Sequence, residues 1–408
     1  MYKIRNLSFA FLLLALTARS QHPFKFDNTV YKAVYWLEVF SMMDTMQNYL
    51  LLDVRSPGEY ADTSRATALN IGRIRKSVNI TIDSVPAHLA ELKRYRNAPV
   101  FVYCSHSQRS RRVSKLLAEN GFKQVYNING GMTSLNEQDA GQLPEKSKWF
   151  VSNLSYQNIS SGDAYHLIKN TPGLVIIDIR TAAEFASQDS LLQNNIGHIK
   201  NAINIPQNQF AEKLDAYKIP SGSPVLVYDL NGINSMDVVD ILRSKRFTHI
   251  YNLFDGLSGF MSDHAFSQTE FNELFTGAPD YHMVDVEGSI RLLSEKPGLI
   301  ILDTRSVEEF NNKAGMSHAN LGRIRGAVHV SSLESLDEIL NGKNSSTAFF
   351  VYGSGSDLAV EVCNKIQKKG FRQVYYLSQG LYQFVWATAN VQDCRQGRAF
   401  LIDHEGLY

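Results

Sequence analysis

One interval governs this chain. Leu51-Leu52-Asp53-Val54-Arg55 returns as Ile176-Ile177-Asp178-Ile179-Arg180 and again as Ile301-Leu302-Asp303-Thr304-Arg305, so the aspartate recurs at 53, 178 and 303, 125 residues apart each time. Gly72-Arg73-Ile74 keeps the same interval, as Gly197-His198-Ile199 and Gly322-Arg323-Ile324. Val125-Tyr126-Asn127-Ile128 matches Ile250-Tyr251-Asn252-Leu253 and Val374-Tyr375-Tyr376-Leu377, closed by Gly131, Gly256 and Gly380. A period this long means tandem domains, because solenoid repeats are far shorter. The total of 408 residues also exceeds what one hydrophobic core usually organises.

Within each unit, short apolar runs alternate with helical patterns. Leu50 to Val54, Val100 to Tyr103 and Val125 to Ile128 suit strands buried on both faces of a parallel sheet. A helix is predicted after Ser107, with Val113, Leu116 and Leu117 on its apolar side and a stop at Gly121. The expected class is α/β, each unit a parallel β-sheet with helices on both faces. Ligands of such sheets sit beyond the carboxyl ends of the strands, here the turn after Tyr103.

That turn reads Cys104-Ser105-His106-Ser107-Gln108-Arg109-Ser110. Loop amides and a helix N-terminus favour negative charge, and the same field is expected to lower the Cys104 pKa and supply a thiolate nucleophile. Arg109, with Arg111 and Arg112 behind it, adds positive charge. The matching positions are Asp229 and Asn234 in the second unit and Gly353 and Leu358 in the third, so both later units are expected to be silent. Asp229 reads as a solvated loop acid. Asp53 and Arg55 have counterparts in both silent units and read as a structural pair; Glu59 has Glu184 and Glu309 and reads the same way.

The Asp-x-Arg phrase, the Gly-x-Ile phrase and the loop from Cys104 to Arg109 resemble the rhodanese-like superfamily. The resemblance implies three tandem rhodanese-like domains, over 27–138 (active-type loop), 153–265 and 279–392 (both inactive-type), with 393–408 as a C-terminal tail. It implies that Cys104 accepts a sulfane sulfur as a persulfide. Ser105, His106, Ser107, Gln108, Arg109 and Ser110 would bind the anionic donor, and a thiol or cyanide would accept the sulfur, with no cofactor and no metal. Four residues separate Cys104 from Arg109, the size of a sulfurtransferase loop; the phosphatases and arsenate reductases that resemble this fold use one more. The family often places Gly where this loop has Ser107, so a positive φ there would strain the serine. A second reading makes the chain a sulfur carrier or interaction scaffold, with the two silent domains docking a protein partner.

Composition sets the outer bounds. Lys and Arg total 41 against 40 Asp and Glu, which argues for no nucleic-acid partner. Lys3 and Arg5, the apolar run Leu7 to Leu16 and Ala18-Arg19-Ser20 form a signal-peptide pattern over residues 1–20 and predict export, to the periplasm or outside the cell. Three cysteines are too few and odd in number for a disulfide framework. Cys363 reads as a buried helical thiol; Cys394 is a free tail thiol, with a resolving role as the alternative.

Overall fold

In the computed structural model, residues 29–355 and 357–404 are described; the signal-peptide pattern lies outside them. Each unit builds a five-stranded, all-parallel sheet. In the first the order across the sheet is Lys32–Val34, Gln124–Ile128, Pro99–Tyr103, Leu50–Asp53 and Val78–Asn79. The second and third repeat that order, with Val225–Tyr228 and Ala348–Tyr352 as their central strands. Alternating side chains of one strand serve two cores: Leu51, Phe101 and Tyr103 pack on one face, Leu50, Leu52, Val100 and Val102 on the other. This is the expected α/β layering, and the helix predicted after Ser107 runs from Gln108 to Glu119.

The repeated phrases acquire a cause. Arg55 donates to both carboxylate oxygens of Asp53 and to the carbonyl of Gly72 at 2.7 Å. Arg180 does the same with Asp178 and Gly197, and Arg305 with Asp303 and Gly322. All three pairs are buried, so each arginine fastens the end of one strand to the Gly-x-Ile turn. That turn glycine has φ near +70° to +80°, and a Cβ on Gly72 would lie 2.4 Å from the Phe150 ring.

Phe150 belongs to a short strand, Phe150–Val151, which pairs antiparallel with Arg73–Ile74. Phe275–Thr276 closes the second unit against His198–Ile199, and Leu401–Ile402 closes the third against Arg323–Ile324. Residues between the expected domains, and residues 401–402 of the expected tail, thus supply the last strand of each unit. Cys394 is correspondingly buried in the third unit's core, among Ile290, Val385 and Leu401. It is not an exposed tail thiol; burial, followed by nearby Asp285 and Glu287, pushes its pKa up.

The units close on one another. One continuous core joins the second to the third, containing Leu226 and Phe260 with Val351 and Val374. Phe254 of the second unit packs on the first unit's core. Asn129 Nδ2 of the first donates to the carbonyl of Ala389 in the third, at 3.2 Å. No helix among the described residues is long and apolar enough to cross a membrane.

Candidate active site

The central strand of the first unit ends at Tyr103 and delivers Cys104 to the loop, with the residue only 1% exposed. The loop is held from below by the next helix, Gly131–Glu137: Met132 N–H donates to the Cys104 carbonyl at 2.9 Å and Thr133 N–H to that of Ser105 at 3.1 Å. This approach is why each unit's last phrase ends in glycine. A Cβ on Gly131 would stand 2.2 Å from the Cys104 carbonyl oxygen, and Gly256 and Gly380 are equally crowded by their own loops.

Ser107 does adopt the left-handed region, at φ +77°. Its second-unit counterpart, Gly232, has φ +78°, so this position takes the same left-handed angle in both loops and the serine carries a strain of about 1 kcal/mol. Compensation is visible. The buried Ser107 hydroxyl accepts from Gly130 N–H at 2.6 Å, and its carbonyl accepts from Arg111 N–H and the Ser110 hydroxyl. Ser107 and Ser110 therefore spend their side chains on the loop itself. His106 and Gln108 face outward.

Arg109 is firmly engaged. Its Nη1 and Nη2 donate to the two oxygens of Glu59 at 2.7 and 2.6 Å, and Nη2 also to the Ser105 hydroxyl at 2.8 Å. The hydrogen bonds to Glu59, and beyond them the neighbouring Cys104, hold the guanidinium charged more strongly than usual. Burial would raise the Glu59 carboxyl, but Arg109 and Ser56 outweigh it and hold its pKa at about 2. Glu59 thus does more than its repeats suggested. All three glutamates cap a helix, accepting from Ser56, Thr181 and Ser306 N–H. Only Glu59 faces an arginine across the fold. The signal was in the sequence: Glu59 pairs with Arg109, whereas Glu184 meets Asn234 and Glu309 meets Leu358 at the matching positions.

Around this centre the third unit forms a wall. Arg111 turns inward and donates to Asn390 Oδ1 at 2.7 Å, so it contributes to the interface and not to an open basic patch. The His106 ring stands edge-on to Trp386, 6.4 Å between centroids. Crowding by neighbouring atoms, followed by Arg109, pushes the imidazole pKa down.

In the second unit Asp229 is not solvated. It is 3% exposed and accepts from Gly232 N–H at 2.5 Å and Asn234 N–H at 2.7 Å. In this unit the loop amides converge on a carboxylate of the same chain. A cavity of about 330 Å³ opens beside it, lined by Arg180, Glu184, Gln207 and Asn234. The roomier cleft, about 540 Å³ between Leu143, Phe150, Tyr156 and Tyr251, is lined by none of the three loops and by no cysteine. Asp263, His264 and Asp285 converge where the second unit meets the third. Both ring nitrogens of His264 are committed to carboxylates, Asp285 at 2.7 Å and Glu287 at 3.2 Å, and these hydrogen bonds raise its pKa to about 10. An ion-paired imidazolium does not ligate a metal. Cys363 sits in the core, where burial pushes its thiol pKa up.

The pattern that defines the rhodanese-like domain matches residues 38–138, 161–263 and 288–386. The chain belongs to the rhodanese-like family. Thiosulfate sulfurtransferase GlpE of Coxiella burnetii is 31% identical over 122 residues, 29% of this chain and 100% of that protein. The tRNA uridine(34) hydroxylase of Cytophaga hutchinsonii is 26% identical over 106 residues, 25% of this chain and 31% of its own length. Among solved structures, the anaerobic ergothioneine biosynthesis enzyme from Chlorobium limicola aligns with 87% of this chain and 97% of its own at 13% identity and a TM-score of 0.27. A thiosulfate sulfurtransferase from Pseudomonas aeruginosa aligns with 88% and 65% at 17% identity and a TM-score of 0.23. The family and its sulfurtransferase relatives support sulfur transfer in general as the function of this rhodanese-like chain.

Proposed function

We propose that this chain is an exported rhodanese-type sulfurtransferase whose reaction runs on Cys104. The thiolate attacks the outer sulfur of a sulfane donor such as thiosulfate or a polysulfide. A bond forms between Cys104 Sγ and that sulfur, the donor's S–S bond breaks, and the donor remnant leaves with the electron pair. A thiol or cyanide then takes the outer sulfur from the persulfide and regenerates the thiolate.

The observation that carries this reading is Asp229. Its carboxylate marks where an anion rests in this loop, bonded to the amides of Gly232 and Asn234. The matching amides of the first loop belong to Ser107 and Arg109, and Ser107 shares the backbone angle of Gly232. Cys104 stands where Asp229 stands, so a persulfide anion on it would meet the same donors.

The test is intact mass of the purified protein after thiosulfate and, separately, polysulfide, beside Cys104→Ser. The expected result is a gain of one sulfur, absent in the variant and discharged by cyanide. No gain from either donor refutes turnover on small molecules and favours the second reading. That reading, a sulfur carrier docked to a protein through the second and third units, is favoured by two silent loops in a chain whose units are closely packed. Export is supported by the residue 1–20 pattern alone; an N-terminus starting at Gln21 in protein recovered outside the cytoplasm tests it.

A further inference from the structure

Resting on that reading, we infer that Glu59 makes the Cys104 site selective for alkyl persulfides, RS–SH, over thiosulfate. The argument begins with what Arg109 has left to give. A guanidinium recognises a sulfonate-type anion through two parallel N–H bonds. In this loop both Nη atoms already make that fork with Glu59, and Nη2 is shared with Ser105. The carboxylate is 3% exposed and the arginine 30%, so the pair is too sheltered for water to loosen it easily.

Charge points the same way. Glu59 cancels Arg109, so the one charge left to offset the thiolate is that of Arg111, buried and tied to Asn390, and no net positive charge awaits a dianion. Thiosulfate brings two further negative charges, and its leaving group, sulfite, keeps both. A protonated persulfide approaches uncharged. Cys104 Sγ bonds to its terminal sulfur, the S–S bond breaks, and RS⁻ leaves with the electron pair as a single anion. The proton stays on the transferred sulfur until the product persulfide ionises, and no oxidant or reductant is needed.

The chain carries its own control. Glu184 and Glu309 cap their helices through the same bonds as Glu59 with no arginine opposite them. The fold therefore needs the glutamate but not the ion pair. The ion pair occurs, among the described residues, only in the unit that has the nucleophile.

The experiment uses the full chain and measures the rate of sulfur loading on Cys104 by mass, with thiosulfate and with benzyl persulfide, across ionic strength. Opposite charges react more slowly when screened. With Arg109 cancelled, the wild-type thiosulfate rate should therefore not fall between about 10 and 150 mM ionic strength, and the persulfide rate should stay level. Glu59→Gln keeps an oxygen for the Ser56 cap but frees Arg109. It should speed thiosulfate loading about tenfold and leave persulfide loading within about twofold. A wild-type thiosulfate rate that falls with salt overturns the inference, and so does a variant that accelerates both donors alike. Should the variant fail to fold, the wild-type salt series still decides. Wild-type protein that loads from neither donor, while iodoacetamide still labels Cys104, overturns the sulfur-transfer reading itself.

Discussion

Asn390→Ala should loosen the third unit from the first, although both residues that meet there lie far from each other in sequence. Arg111 is 4% exposed and donates to Asn390 Oδ1 at 2.7 Å. A buried hydrogen bond to a charged donor is worth about 1.5–3 kcal/mol. Asn390 also donates to the Trp386 carbonyl four residues earlier, so the single variant mixes an interface loss with a helix-end loss. A double-mutant cycle with Arg111→Met separates them. The coupling between the two positions should be about 1.5–3 kcal/mol, read from urea unfolding at the transition that releases the third unit. A coupling below about 0.5 kcal/mol would mean that the guanidinium is indifferent to Asn390, and that the third unit is not a wall of the Cys104 site.

Ser107→Gly should destabilise the protein by about 1 kcal/mol: relief of the left-handed backbone is offset by the freer unfolded glycine, and the buried Gly130 N–H loses its acceptor, which urea titration measures. His264, with a folded pKa of about 10 above its ordinary 6.5, stabilises the junction of the second and third units fully below pH 6.5 and progressively less as pH rises toward 10. His264→Gln should flatten that fall in a pH series of denaturation midpoints; an unchanged slope refutes the ion pair. Asp229→Ala should leave the Gly232 and Asn234 amides without their anion, cost about 1–3 kcal/mol, and make the variant's melting temperature rise with added sulfate more than the wild type's does.

The fold was legible because its strands and turns recur in register. Asp53, Gly72 and Gly131 each stand at a place where backbone meets backbone or a buried arginine, and such places tolerate few residue types. The candidate nucleophile stood out for the opposite reason, since Cys104 breaks the repeat. What was illegible depends on long-range placement. Asp229 looks like a loop acid until the amides of Gly232 and Asn234 are seen to turn toward it. Segment 393–408 looks like a tail because nothing in Leu401-Ile402 announces a strand, yet it pairs with Arg323–Ile324, as Phe150–Val151 pairs with Arg73–Ile74. The structural reading of Glu59 holds for its helix cap but leaves out its ion pair with Arg109. A residue present in silent copies need not be catalytic, but its partner can be peculiar to one copy.

That last point also explains what the silent units retain. All three keep the buried Asp-Arg pair, the Gly-x-Ile turn and the closing strand, which are the bonds that hold a sheet's edge to its loops. The two loops differ in how they depart from the first: the second unit's loop amides bond its own Asp229 carboxylate, and the third unit's central strand is followed by Gly353, with no side chain at all. A cradle filled from within cannot take an external anion, and one without a nucleophile cannot hold sulfur covalently. Their shared cores and their contacts with the first unit remain intact. On the proposed reading, the two units serve as structure around the Cys104 loop. With Arg111 anchored by Asn390 and His106 set against Trp386, part of the surface around the Cys104 loop belongs to the third unit, whose matching loop position is Gly353.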